Sequence, residues 1–99
     1  MKVNLLKPIE FEGQTYDSIN LDLEGLTGQD MLLVERLFLS QNATNQANLL
    51  KELSKEYQAF VAVQAAKLPF EFIQKVSAKD FSRITTAVGN FFIEASAEE

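Results

Sequence analysis

The side chains that could do chemistry in this sequence are almost all carboxylates. The 99 residues contain no cysteine and no histidine, which excludes thiolate nucleophiles, sulfur-based zinc sites and the commonest general base near neutral pH. Among the 14 acidic residues, Asp22 and Glu24 lie two apart on one side of a predicted strand, a spacing that allows shared metal binding or acid–base work. Catalytic carboxylate pairs need a cleft that separates their pKa values, and the sequence favours a solvated acidic face instead.

Other catalytic and cofactor-binding patterns are missing from the sequence. The serines have no histidine to activate them, and the four glycines fit neither a phosphate-binding loop nor a dinucleotide fingerprint. No segment has the closely spaced oxygen ligands of a calcium loop. We therefore expect no catalytic residue, no cofactor and no metal ion, and a binding function is favoured over an enzyme.

The charge and hydropathy of the chain restrict its surroundings. The net charge is −5 and the nine lysines and arginines are scattered, which argues against a nucleic-acid partner because phosphate binding needs a basic surface. No window approaches the roughly 18 apolar residues of a membrane helix, and the residues after Met1 do not resemble a signal peptide. We expect a cytoplasmic protein that contacts neither nucleic acid nor membrane.

The first 25 residues predict a β-hairpin. Side chains alternate with period two along a strand, and this places four apolar residues on one face: Val3, Leu5, Ile9 and Phe11. Pro8 cannot donate to a strand ladder, so the first strand is expected to pair on one side only at that point. Residues 12–14 supply the turn, with Gly13 free to adopt positive φ.

The returning strand has an irregular pattern. Tyr16 is out of phase with the alternating Ile19, Leu21 and Leu23. A bulge or break near residues 17–18 would bring both sets to the same face. The intervening polar residues then face water: Ser18, Asn20, Asp22 and Glu24.

The first predicted helix begins at a cap formed by Thr27 and Asp30, which resemble a capping box. At 100° per residue, one broad apolar arc is expected to face the core; it contains Val34, Leu37 and Phe38, with Met31 and Leu33 at its margins. Leu32 and Leu39 fall outside this arc and nearly superimpose on the polar side.

The second predicted helix has its apolar residues in a narrow arc, which is typical of a surface helix packed on a core. The arc comprises Leu49, Leu50, Leu53, Tyr57, Phe60, Val61 and Leu68. Gln64 projects into the same arc and needs a hydrogen-bond partner or a position at its edge. Pro69 disfavours the α region in the preceding residue, so this helix is expected to end near Lys67 or Leu68.

A short helix beginning at Pro69 and a longer final helix complete the chain. Ser77 and Asp80 form a second Ser-x-x-acid cap at the start of the final helix. This helix carries an apolar stripe of Phe81, Ile84, Ala87, Val88, Phe91, Phe92 and Ala95. Ile93 lies off the stripe, and the acidic end of the chain opposes the helix dipole and is expected to fray.

These elements predict one α+β domain over residues 1–99, in which an N-terminal β-hairpin packs against a bundle of three to four α-helices. The hairpin takes residues 1–25, the helical part 26–96 and the frayed tail 97–99. The apolar cluster around Phe70, Phe72 and Ile73 is favoured as core packing between two helices over an interface.

The candidate partner-binding residues are apolar side chains without an obvious place in the core: Leu32, Leu39 and Ile93, with Phe92 fitting both the core stripe and a surface. Single exposed apolar residues are normal in folded proteins, whereas a stacked pair on one helix is a contiguous patch of the kind that binds partners. The alternative, that another part of the chain covers Leu32 and Leu39, is equally consistent with the sequence.

Two segments of the chain resemble the tail assembly chaperones of long-tailed bacteriophages. The first, LLKPIEFEGQTYDSINLDLEGLTGQDM, has an L-x-x-P-I segment, a glycine turn, an aromatic residue, an alternating strand and a Thr-Gly-x-Asp helix entry. The second, AAKLPFEFIQKVSAKDFSRITTAVGNFF, has a helix end, Leu-Pro, a short helix and an acid-capped final helix. Residues 23–26 depart from the arginine- and proline-bearing version of the family pattern.

The resemblance implies a non-catalytic role in the host cytoplasm and absence from the mature virion. Such chaperones bind the long helical tape measure protein, keep it soluble and help recruit tail-tube protein. Self-association and a longer frameshifted form are also implied by the family. The alternatives are a small structural or connector protein of the virion and a regulatory protein-binding adaptor.

Overall fold

A computed structural model describes residues 1–41 and 54–97, with side chains for residues 1–40 and 54–94. Two antiparallel strands form a hairpin, β1 (Lys2–Phe11) and β2 (Gln14–Asn20). The described helices are α1 (Gly28–Gln41), α2 (Lys55–Ala66), α3 (Phe70–Ile73) and α4 (Ala78–Ala97). The hairpin packs against α2 and α4, so the predicted α+β class is confirmed.

The hairpin turn has the backbone that its sequence predicts. Glu12 and Gly13 connect the strands with φ of 50° and 79°, the two positive values that a two-residue turn needs to match the strand twist. Val3, Leu5 and Phe11 are buried on the inner face. The alternation of β1 is thus confirmed, and one of the two positive-φ turn positions holds a glutamate, Glu12.

The predicted irregularity in the hairpin is present, but its extra residues belong to β1. Asn4 pairs with Ser18 and Ile9 pairs with Tyr16, so residues 5–8 of β1 lie opposite Asp17 alone. Pro8 has no N–H for the ladder, and the preceding N–H groups bond to another element of the fold. Val3 pairs with Ile19 and Ile9 pairs with Tyr16. Both β2 residues consequently pack against the core.

Helix α1 begins at the predicted cap but presents a different face to the core. Val34 and Phe38 are buried and Met31 packs against the core, whereas Leu37 is 42% exposed. The buried side is centred between Phe38 and Met31, rotated by about 50° from the predicted arc at 100° per residue. This rotation brings Leu39 to the edge of the core, so its predicted position on the polar side is wrong.

Helix α2 is a central helix rather than the predicted surface helix. Both α1 and α4 pack on it, and almost every residue from Tyr57 to Ala65 is buried. The alanines between the large apolar residues allow the neighbouring helices to approach from several sides. The absence of charge from residue 57 to residue 66 was the signal for this burial, since an exposed helix face is normally polar.

Within the described residues α2 starts later than predicted. Ser54 has extended backbone at the N-cap and its hydroxyl accepts a bond from the N–H of Tyr57. The predicted members Leu49, Leu50 and Leu53 lie outside the described residues. The helix ends at Ala66, close to the predicted position, and Lys67 follows in the left-handed conformation with φ of 59°.

The corner from α2 to α4 is closed by aromatic packing. Pro69 is the N-cap of α3, and the buried Phe72 ring lies 4.9 Å from the Tyr16 ring and 5.4 Å from the Phe11 ring, centroid to centroid. Phe70 stacks on Phe60 at 4.1 Å. The core role favoured for this cluster is confirmed, because it joins the hairpin to α2.

Helix α4 places the described part of its apolar stripe, from Phe81 to Phe92, against the core, and the side chain of Ala95 lies outside the described residues. Ile84 and Val88 are fully buried, and Ile93 is 57% exposed, as the stripe predicts. A Cβ on Gly89 would lie 2.8 Å from the side-chain nitrogen of Gln58, so glycine permits the close approach of α4 to α2. The helix extends to Ala97, and the rest of the predicted frayed tail lies outside the described residues.

Candidate functional site

Asp80, in the first turn of α4, is a carboxylate with several hydrogen-bond donors around it. Its side chain is fully buried, and its oxygens accept hydrogen bonds from the backbone N–H groups of Leu6 at 2.9 Å and Lys7 at 3.1 Å. The hydroxyl of Ser77 donates at 3.0 Å and the guanidinium of Arg83 at 2.9 Å. The bulge in β1 and the start of α4 therefore share one anion-binding arrangement.

The environment of Asp80 favours its charged form. Burial raises the pKa of the carboxyl, but the two backbone N–H donors, together with Ser77 and Arg83, outweigh it and hold the pKa below its ordinary value. Arg83 also donates to the carbonyl oxygen of Asn4 at 2.7 Å. These bonds satisfy a buried charge, so the network is a structural connection between strand and helix.

A second carboxylate, Asp30, joins α1 to α2. The N–H and hydroxyl of Thr27 donate to Asp30, and the Asp30 N–H donates to the Thr27 hydroxyl, which confirms the predicted capping box. The other Asp30 oxygen accepts from the side-chain nitrogen of Gln64 at 3.2 Å, the partner that Gln64 required. The bond from the Thr27 backbone is the largest of the effects that lower the pKa of Asp30.

The acidic pair Asp22 and Glu24 lies on a solvated face, as the sequence favoured. Asp22 and Glu24 are both exposed, and an Asp22 oxygen accepts from the N–H of Gly25 at 3.2 Å. Across residues 1–41 and 54–97 there is no group of three or more acidic residues able to hold a metal ion. Asp30 and Asp80, whose pKa values are lowered, both form part of helix caps.

The four predicted partner-binding residues lie in different environments. Leu32 on α1 and Ile93 on α4 are 64% and 57% exposed, whereas Leu39 and Phe92 are partly buried against the core. Leu32 and Leu39 belong to α1 and Phe92 and Ile93 to α4, two helices that pack on α2. The structure does not gather them into one patch, and their role in binding stays a prediction.

Sequence reasoning missed two exposed leucines on α1. Leu33 is 39% exposed and Leu37 is 42% exposed, and their i, i+4 spacing places them side by side on the helix surface. Together they form the α1 leucine surface, whereas Leu32 lies about 100° or more around the helix from both. The pattern alone could not identify it, since leucines occur on every side of α1 and several rotations of the helix would bury an apolar arc.

In the part of the chain that the structure describes, no helix has the length and apolar character needed to span a membrane. The longest, α4, is interrupted by charged and polar residues at Lys79, Asp80 and Arg83.

Comparison with known protein families gives a match over most of the chain. The family model described as phage tail assembly chaperone proteins, E, or 41 or 14, matches residues 2–93 of the chain. Searches of curated proteins and of solved structures found no match. The matched range contains both segments that meet at Asp80.

Proposed function

This chain belongs to the phage tail assembly chaperone family, and on that premise we propose that it binds the tape measure protein and assists assembly of the tail tube. The proposed role is non-catalytic. It is carried out in the host cytoplasm, and the protein is absent from the mature virion.

The observation that carries the proposal is the α1 leucine surface. Leu33 and Leu37 lie one turn apart on the helix and are each more than a third exposed. Isolated apolar residues are common on protein surfaces, but adjacent ones on a single helix form a patch suited to another apolar surface. The remaining side of α1 is fixed to the core by Val34 and Phe38, so this surface is held in a defined orientation.

A helical client with an apolar stripe fits the chemistry of this surface. Amphipathic helices bind to apolar helical surfaces through side chains spaced by three and four residues, the spacing that relates Leu33 to Leu37. One small patch gives weak binding. If several copies of the chain bind along one long client and also bind each other, the overall affinity increases through avidity. Self-association is therefore part of the proposal.

Co-expression with the tape measure protein of the same phage tests the proposal. We expect the wild-type chain to keep the client soluble and to co-purify with it. The double variant Leu33→Lys/Leu37→Lys should lose both effects while retaining its circular dichroism spectrum and its Tm within a few degrees, since both side chains are already partly in water.

The control is Leu6→Lys, which adds one lysine at a 63% exposed leucine of β1, away from α1. This control should support the client as well as the wild type does. The proposal would be contradicted if the α1 double variant kept the client as soluble as the wild type does. It would also be contradicted if the wild-type chain did not associate with the tape measure protein.

The two alternative functions predict different experimental results. A virion structural or connector protein would be present in purified particles, and a regulatory adaptor would bind one partner permanently. Mass spectrometry of purified virions separates the first of these from a chaperone, which leaves the particle.

A further inference from the structure

A cleft with an acidic rim lies between the end of the hairpin and α4, separate from the α1 leucine surface. Its volume is about 380 Å³, and its walls include Leu23 from the segment after β2 and Ala87 and Phe91 from α4. Leu23 is buried and the two α4 residues are partly buried. This volume is at the lower end of that of ligand pockets and accommodates one or two large apolar side chains.

The floor of the cleft is held in place by backbone hydrogen bonds. Leu21 donates its N–H to the carbonyl oxygen of Met1 at 2.7 Å, and Asp22 donates its N–H to the carbonyl oxygen of Ala65 in α2 at 3.3 Å. The segment between β2 and α1 is thereby tied both to the start of β1 and to the central helix. Met1, at the edge, is 62% exposed, and its flexible thioether side chain suits an adaptable contact.

The side-chain charges around the cleft are all negative. Asp22, Glu24 and Glu94 line it, against one cation, the amino terminus of Met1, which donates a hydrogen bond to the carbonyl oxygen of Leu21 at 3.0 Å. All three are exposed, so their attraction for a cation acts through solvent and is screened by salt. An apolar floor inside an acidic rim is complementary to an apolar side chain that is flanked by basic residues.

We propose that this cleft binds a cationic amphipathic helix of a partner protein, inserting a leucine-type side chain against Leu23, Ala87 and Phe91 while lysine or arginine side chains meet Asp22, Glu24 and Glu94. The cleft would give the protein a second binding surface in addition to α1. This inference stands on the residues of the cleft and does not require the tape measure protein to be the partner.

A model peptide tests the proposal on the intact chain. The probe is a fluorescent helix of about 14 residues built from leucine, alanine and lysine, with leucines at i, i+3, i+4 and i+7 and lysines beside them. We expect fluorescence anisotropy to show saturable binding. Amide chemical shifts should change at Ala87 and Asn90 and stay constant at Leu33 and Leu37.

Two matched comparisons separate the cleft from general attraction to an acidic protein. Glu24→Lys/Glu94→Lys should weaken binding by about tenfold or more, because rim attraction becomes repulsion. The control Glu10→Lys/Glu71→Lys makes the same change in net charge at exposed sites outside the cleft and should weaken binding much less. A peptide with serine in place of leucine keeps its charge and should not saturate the protein.

The proposal is overturned if the two charge-reversed variants lose affinity equally, or if the serine peptide binds as well as the leucine peptide. It is also overturned if the peptide changes the amide chemical shifts of α1 instead of those of the cleft. These outcomes are independent of the co-expression test, so failure of either proposal is distinguishable from failure of the other.

Discussion

The carboxylate of Asp80 accepts a hydrogen bond from the backbone N–H of Leu6, 74 residues earlier in the chain. The neighbouring N–H of Lys7 bonds to the other carboxylate oxygen. In the sequence, Leu6 belongs to the L-x-x-P-I segment and Asp80 to the acid cap of the final helix. The two segments that carry the family resemblance therefore form one contact, which indicates that they preserve the fold rather than a binding surface.

Replacement of Asp80 tests the strength of this contact. We expect Asp80→Asn to reduce the free energy of unfolding by about 3 kcal/mol, because the amide cannot accept from Leu6, Lys7 and Arg83 as a carboxylate does. Urea unfolding followed by circular dichroism measures the change. Asp17→Asn, at an exposed carboxyl of β2, should change the same quantity by less than about 0.5 kcal/mol, and an equal loss in both variants would refute the assigned role.

The stability of the protein should fall in acid. The pKa values of Asp30 and Asp80 lie below the ordinary 3.8, so the unfolded state binds more protons than the folded state in the window just below that value. The contribution of these residues is fully present above pH 3.8 and is lost as the pH falls through their folded pKa values. Urea unfolding at successive pH values should show a smaller acid-induced loss in Asp80→Asn than in the wild type.

The hairpin turn can be improved at Glu12. This residue has a φ of 50°, a left-handed conformation that asparagine adopts more readily than glutamate. We expect Glu12→Asn to raise the free energy of unfolding by about 0.5 kcal/mol and Gly13→Ala to lower it by about 1 kcal/mol. Thermal unfolding of the two variants should therefore shift in opposite directions, and a parallel shift would argue against the turn geometry.

The two leucines that the sequence placed together on α1 should respond differently to truncation. Leu39 packs against the core and Leu32 is 64% exposed. We expect Leu39→Ala to lower the free energy of unfolding by about 1–2 kcal/mol and Leu32→Ala to change it by less than about 0.5 kcal/mol. Chemical denaturation of both variants checks the rotation of α1, which is wrong if the larger loss occurs at Leu32.

Local patterns predicted the elements of this fold well. The glycine turn, the caps at Thr27 and Ser77 and the break at Pro69 each depend on a few neighbouring residues whose backbone preferences agree. Gln64 was recognised as needing a partner because a polar group inside an apolar arc is costly. Its partner, Asp30, was not identified, since the two residues are brought together only by the packing of α1 on α2.

The exposed surfaces were harder to predict. The leucines of α1 surround the helix, so small differences in packing decide whether Leu37 or Leu39 is covered. The burial of α2 depends on small residues such as Ala59 and Ala62, which add little to an apolar arc but permit close helix contact. The backbone donors to Asp80, the N–H groups of Leu6 and Lys7, belong to a distant bulge in β1. The spacing of residues within the final helix could not indicate this contact.

The connection between Leu6 and Asp80 also constrains the order in which the protein can fold during synthesis. The hairpin leaves the ribosome first, but its bulge cannot form the contact until α4 has emerged, because the acceptor is 74 residues away. Contacts of such separation form late, after the entropy of closing a long loop has been overcome. A nascent chain that stops before residue 80 would therefore present an incomplete hairpin to cellular proteases.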